Sequence, residues 1–318
     1  MDAGTLNQRF FYEPLLAAHP KEGSWPSFSF LGKEMKHPIW VSSMTGGTAK
    51  AKHINHNLAK VCKEFGFGMG LGSCRPLLEN NDRFADFDIR SIIGEEQLLF
   101  ANVGIAQLEI LIEKNDLALL SKMVEQLGAD GLIIHVNPLQ EWLQPEGDRF
   151  QKPPIITIKR IIEALPDLAV IVKEVGQGMG KESLKALLQL PIAAIDFAAY
   201  GGTNFAKLEL LRSSPKKQET YTFLATIGHT AQDMTEMTKK LINELGDKAR
   251  CKQFIVSGGI QNFLDGYYHI KKLGYNSIYG QASAFLRYAQ GDYEALRSFA
   301  AAQVRGLELA KAYLKIRE

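Results

Sequence analysis

AVIVKEVGQGMGKESLKALLQLPIAAIDFAA, residues 169–199, contains one complete structural unit. Its ends, AVIVKEV (169–175) and AAIDFAA (193–199), are almost unbroken apolar runs, the pattern of strands covered on both faces. Between them KESLKALLQL spaces its leucines along one face of a helix. Two buried strands joined by a helix belong to a parallel sheet. The same unit recurs in both directions. Upstream lie IWVSSM (39–44), FGMGLG (67–72), LLFANVG (98–104) and GLIIHVN (131–137); downstream lie QFIVSGG (253–259) and SIYGQAS (277–283). Amphipathic stretches such as NHNLAKVCKEFG, TIKRIIEALPD and LDGYYHIKKLG separate them. Eight such units predict an α/β fold, a (β/α)₈ TIM barrel, with an open doubly wound sheet as the lesser option. Residues 1–30, aromatic and punctuated by proline, read as a short N-terminal arm, and residues 31–318 as a single barrel domain. Residues 204–250 are long for one crossover and predict an insertion between the sixth and seventh strands.

Composition narrows the function classes. The formal charge is +2, from 37 basic and 35 acidic residues, so no long-range field selects nucleic acid or an anionic membrane. Three cysteines at unrelated spacings argue against a disulfide framework or structural zinc and for a reducing cytoplasm. No apolar run nears membrane-spanning length, and MDAGTLNQRFFYEP lacks a signal pattern. The expectation is a cytoplasmic globular protein with neither nucleic acid nor membrane as partner.

Barrel enzymes build their sites at the C-terminal ends of the strands. Here those ends are SSMTGG, GSCR, ANVG, HVNPLQE, KEVGQG, AAYGGTN, SGGI and GQAS, nearly all rich in small polar residues or carrying a charge. Glycines 258, 259 and 280 stand where such barrels hold a phosphate on backbone N–H groups, although glycine also simply turns a strand into a helix. Lys173, inside an apolar strand, needs either a ligand oxygen or an ion pair, for which Asp196 is the obvious carboxylate. Asn102 offers a donor and an acceptor at the barrel centre, as a planar heterocycle requires. GFGMGLG and GQGMG do not meet the GxGxxG spacing, and HExxH and GxSxG are absent. Cys74 reads either as a nucleophile or as a small strand-end residue, and His53 and His56 as helix-surface residues. HVNPLQEWLQPEGDR (135–149) is the unusual stretch, because a core strand ends in His135, Asn137, Gln140 and Glu141.

Together, SSMTGG, MGLGSCR, ANVG, HVNPLQEWLQPEGDR, VIVKEVGQGM, AIDFAAYGGTNFAKLE and VSGGI resemble the type 2 isopentenyl-diphosphate isomerases, flavin-dependent barrels of isoprenoid biosynthesis. HxNxxQE with PEGDR is the most specific element. The resemblance implies FMN across the barrel mouth, its phosphate on Gly258, Gly259 and the Gly280–Ala282 backbone beside Thr203. Thr45, Ser73, Asn102 and Lys173 would contact the rest of the flavin. It further implies a prenyl diphosphate substrate held by Arg75, His135 and Asn137, with Arg9 as the N-terminal contact. Glu141 would hold Mg²⁺, and Gln140 would face the isoprenoid carbons, with Gln140 and His135 as the catalytic pair. The implied reaction is isomerisation of isopentenyl to dimethylallyl diphosphate through acid/base proton transfer by reduced FMN. NADPH would be the reductant, and the implied assembly is a homo-oligomer, tetramer or octamer.

The chain departs from that pattern in places. The family's Arg-Lys-x-x-His cluster near the N-terminus is not recognisable, and NQRFFYEP offers Arg9 alone. Lys33, Lys36 or a neighbouring subunit are the replacements on offer. Cys74, Ala198 and Gln261 stand where the family has other residues. Two further readings follow: an FMN-dependent oxidoreductase on the same barrel, and a divergent non-catalytic protein binding FMN or a prenyl diphosphate.

Overall fold

The computed structural model describes residues 6–43 and 50–317, so Thr45 lies outside the described residues. The eight apolar runs are eight parallel strands: β1 (Ile39–Val41), β2 (Gly68–Gly70), β3 (Leu99–Gly104), β4 (Gly131–Val136), β5 (Val170–Glu174), β6 (Ala194–Asp196), β7 (Gln253–Ser257) and β8 (Asn276–Gln281). Each pairs with the next, and β8 returns to β1 with Tyr279 opposite Ile39, closing the barrel. Helices lie between the strands, which is the (β/α)₈ architecture rather than an open sheet. Local chemistry punctuates the units. Asn262 caps helix Phe263–Leu273 by accepting from Leu264 and Asp265 N–H, and Thr230 and Asp233 form a capping box on helix Ala231–Leu245.

Strand register decides what faces inward. Residues opposite one another in a parallel pair share a face, as do residues two apart on one strand. His135 lies opposite Lys173, Lys173 opposite Asp196, and Asp196 opposite Ile255. Two residues earlier on three of these strands are Ile133, Ile171 and Ala194. They join Trp40, Phe100, Ile255 and Ile278 in a buried apolar cluster inside the barrel. The cluster is closed from below by Phe30 and Met35, from the antiparallel hairpin Phe28–Phe30 and Lys33–Met35. The β2 glycines make room inside: a Cβ on Gly68 would lie 2.5 Å from the Trp40 ring. The interior is thus an apolar plug capped by Asn102, His135, Lys173, Asp196 and Ser257.

Two additions surround the barrel. Phe10–Tyr12 pairs antiparallel with Leu314–Ile316, tying the two ends of the chain together. The insertion after β6 carries helices Phe205–Arg212 and Pro215–Tyr221. Ala206, Leu210 and Ala225 from this insertion pack with Leu143, which follows β4.

Candidate functional site

A cavity of about 300 Å³ opens where β1 and β5 to β8 end. Lys173, Thr203, Ser257, Gly258, Gly259, Gly280 and Ala282 line it, so most residues expected at a flavin meet there. Gly258 has φ of +85°, and a Cβ on it would sit 2.1 Å from the Ala199 carbonyl oxygen. Only glycine lets the chain pass at that point, which leaves backbone N–H groups bare to a ligand. Ser42 Oγ, Ser43 Oγ and Gln281 Oε1 are buried without a hydrogen-bond partner among the described residues, and all three residues line the cavity. Buried polar atoms are ordinarily paired, so this lining suits a ligand rich in hydrogen-bonding groups. Ser42, Ser43 and Gln281 were not singled out from the sequence; their unmet hydrogen bonds emerge only once the barrel closes.

Of the two readings for Lys173, the ion pair with Asp196 does not form among the described residues. Its Nζ donates to the Glu174 carbonyl at 3.0 Å. Asp196 instead accepts from Ser257 Oγ at Oδ1, while its Oδ2 has no partner among the described residues. Burial pushes the Asp196 carboxyl up, with the Lys173 charge and the Ser257 hydrogen bond opposing.

The GQG loop after β5 carries a phosphate-like nest that is already filled. Glu174 Oε2 accepts N–H bonds from Gly176 at 2.7 Å, Gln177 at 2.6 Å and Gly178 at 3.0 Å. Cys74 is fully buried, and desolvation pushes its thiol up to about 12, so it is a packing residue and not a thiolate nucleophile. Its neighbour Ser73, half-buried, follows β2 without lining the cavity.

The second half of the site grows from β4. Asn102 Nδ2 donates to the Leu71 carbonyl at 3.1 Å, which turns its Oδ1 toward His135 Nδ1 at 2.8 Å. That carbonyl fixes the Asn102 amide, and the amide assigns the His135 proton to Nδ1, leaving Nε2 a lone pair. Burial, aided by the Lys173 charge, lowers the imidazole to about 3, so it is neutral at ordinary pH. Pro138 opens helix Pro138–Leu143 directly after the strand, carrying Gln140 and Glu141 over the mouth. Asn137 Nδ2 donates to Gln140 Oε1 at 3.2 Å and Glu141 Oε1 at 2.9 Å. The PEGDR loop folds back on that helix. Asp148 N–H donates to Glu141 Oε2 at 2.8 Å, and Arg149 donates to the Glu141 carbonyl at 2.7 Å.

Arg75 reaches this cluster through Asp148, at 3.7 Å. Gln107, on the helix after β3, donates to the same carboxylate at 2.9 Å. Neither Gln107 nor Asp148 was singled out, since each reads as ordinary helix or loop polarity. Arg9 is not brought to them: it pairs with Asp265 at 2.8 Å and lies over Tyr268 outside the barrel. Lys33 and Lys36 are at the wrong end. Lys33 pairs with Asp130, before β4 begins, and Lys36 packs against Gly66, before β2. Both belong to the floor of the barrel, so neither replaces a cation at the mouth.

The donor set also suits a hard cation. Asn137 Oδ1 is buried without a partner among the described residues, while the Nδ2 of the same amide faces the Glu141 carboxylate. No group of three or more His, Cys, Asp or Glu that could hold a metal occurs among the described residues. One carboxylate with a neighbouring amide suits a hard cation that keeps waters and ligand oxygens, not a dedicated protein cage.

No family model matches the chain. It is 36% identical over 262 residues to the isopentenyl-diphosphate delta-isomerases of Rickettsia prowazekii (strain Madrid E) and Rickettsia typhi (strain ATCC VR-144 / Wilmington), covering 82% of this chain and 72% of each relative. Among solved structures it resembles the flavin-binding domain of baker's yeast flavocytochrome b2, with a TM-score of 0.61 at 15% identity over 96% of this chain and 72% of that one. A mandelate oxidase gives a TM-score of 0.56 at 14% identity over 98% of this chain and 88% of that one. At those identities the structural likeness is one of fold.

Proposed function

The chain belongs to the isopentenyl-diphosphate delta-isomerase family, and on that premise we propose that it isomerises isopentenyl diphosphate to dimethylallyl diphosphate with FMN and Mg²⁺. The observation that carries the reading is one mouth with two unlike halves. A glycine-lined cavity holding a buried ammonium adjoins a cluster of His135, Asn137, Gln140 and Glu141. The first half suits FMN: Gly258, Gly259 and the Gly280–Ala282 backbone for its phosphate, Thr203 nearby, and Lys173, Ser42 and Gln281 for its polar ring edge. Reduced FMN, when bound, supplies the proton at N5 that no side chain here is acidic enough to give an alkene.

The chain's own residues then have distinct tasks. Arg75 and Asn137 would bind the diphosphate, and Glu141 would hold Mg²⁺ beside it. His135, neutral and held by Asn102, presents Nε2 to the substrate side. Gln140 orients the isoprenoid carbons, and the apolar plug beneath keeps water from the reacting face. NADPH serves as reductant in this reading. The insertion exposes Leu208, Leu211, Phe223 and Ile227, a surface that a homo-oligomer of this chain would cover.

The test is turnover. Reduced, FMN-loaded protein incubated with isopentenyl diphosphate and Mg²⁺ should yield dimethylallyl diphosphate; absence of product overturns the proposal. Glu141→Gln should lower kcat/KM by about 100-fold or more, because it removes the carboxylate on which the metal depends. A variant with unchanged Mg²⁺ dependence would remove Glu141 from the metal site.

A further inference from the structure

We propose that Asp196 is a positioning residue for Lys173: its buried carboxylate, opposite in register but not in ion-pair contact with the ammonium, limits how much of that charge reaches the cofactor. The inference deepens the FMN reading and rests on it. Three observations support it. Lys173 and Asp196 are opposite in register on β5 and β6 and share the inward face. Asp196 is completely buried, and its Oδ2 has no partner among the described residues. Ser257, which donates to Asp196 Oδ1 and accepts the Ala198 N–H at 2.9 Å, itself lines the cavity.

A buried carboxylate with one free oxygen is expensive unless a charge lies close by. Lys173 is the cation that acts on it, and burial of the pair keeps water from screening them. Lys173, 8% exposed as a residue, bonds through its ammonium only to the Glu174 carbonyl among the described residues, so the ammonium is free to face a ligand above. A positive charge under a flavin favours its reduced, more anionic form. A carboxylate behind that charge opposes the effect, so Asp196 sets the balance.

The experiment compares wild type, Asp196→Asn and Ser257→Ala, each purified and reconstituted with FMN. Absorbance reports FMN binding, and equilibrium reduction against a reference dye reports the potential. Asp196→Asn should favour reduced over oxidised FMN about tenfold, about 30 mV for a two-electron couple. Ser257→Ala should move it less, in the same direction. Acetylation of Lys173 in flavin-free protein at pH 7.5, followed by mass spectrometry, should change rate by about threefold or more in Asp196→Asn, because the amine loses the buried carboxylate that positions it. An unchanged potential in FMN-loaded Asp196→Asn overturns the inference and leaves the FMN reading intact. Failure of all three proteins to bind FMN overturns that reading, and the acetylation rate still decides whether Asp196 controls Lys173. A Tm change with neither readout moved makes Asp196 purely structural and overturns the proposal.

Discussion

His135 shows how one carbonyl sets a side chain at the candidate site. Leu71 fixes Asn102, Asn102 fixes the imidazole proton, and burial keeps the ring neutral. The consequence for stability has a definite sign. The folded value of about 3 lies below the ordinary 6.5, so between those pH values the unfolded chain binds the extra proton. Stability is therefore lost as pH falls through that window. From pH 6.5 to 5.0 the cost from this residue is about 1–2 kcal/mol. Urea unfolding at both pH values should show that excess loss in wild type relative to His135→Gln. Equal pH dependence in the two proteins would mean that the imidazole titrates normally. The residue itself was legible in the sequence, because a histidine ending a core strand is conspicuous. Its tautomer was not, since Leu71 and Asn102 are 64 and 33 positions away and meet it only through strand pairing.

At the scale of elements, the strands were the legible part. Strands buried on both faces read as continuous apolar runs, so each polar interruption (Asn102, Lys173, Asp196) marks the layer where the plug ends. The segment after β4 was only half legible. Its polar residues were evident, but the reason for PEGDR is a fold-back: a Cβ on Gly147 would lie 1.9 Å from the Glu141 carbonyl oxygen. Gly147→Ala should therefore push the loop off helix Pro138–Leu143 and break the Asp148 and Arg149 bonds to Glu141. We expect a stability loss of about 1–3 kcal/mol by thermal unfolding, the usual cost of overpacking. The Mg²⁺ concentration for half-maximal activity should also rise, since Glu141 loses the N–H that orients it. A variant with unchanged Mg²⁺ response would show that the loop packs against the metal site without supporting it. Lys33 and Lys36 mark the opposite failure. Their sequence position says nothing of which end of the barrel they reach, and only the hairpin beneath the plug puts them at the floor.

For the whole molecule, the cavity lies across the seam where β8 meets β1, and its lining comes from β1 and β5 through β8. A ligand there joins the first strand to the last four, so it binds the closed barrel and not a partly folded chain. FMN at 100 times its Kd should stabilise the protein by about 2.7 kcal/mol. For a chain of this size that raises Tm by roughly 4 °C. Riboflavin, lacking the phosphate proposed for the Gly258 loop, should give a smaller increment at equal concentration. The N-terminal arm provides the control. Phe10–Tyr12 pairs with Leu314–Ile316, and Arg9 pairs with Asp265, but no described arm residue lines the cavity. Deleting residues through Tyr12 should lower Tm by losing that strand pairing and the packing of Phe10, while leaving the FMN increment unchanged. An increment lost with the arm would instead tie cofactor binding to the contact between the chain's two ends. Diphosphate affinity in the same deletion decides the role of Arg9: unchanged affinity confines it to holding the arm, and a tenfold loss makes it a substrate contact.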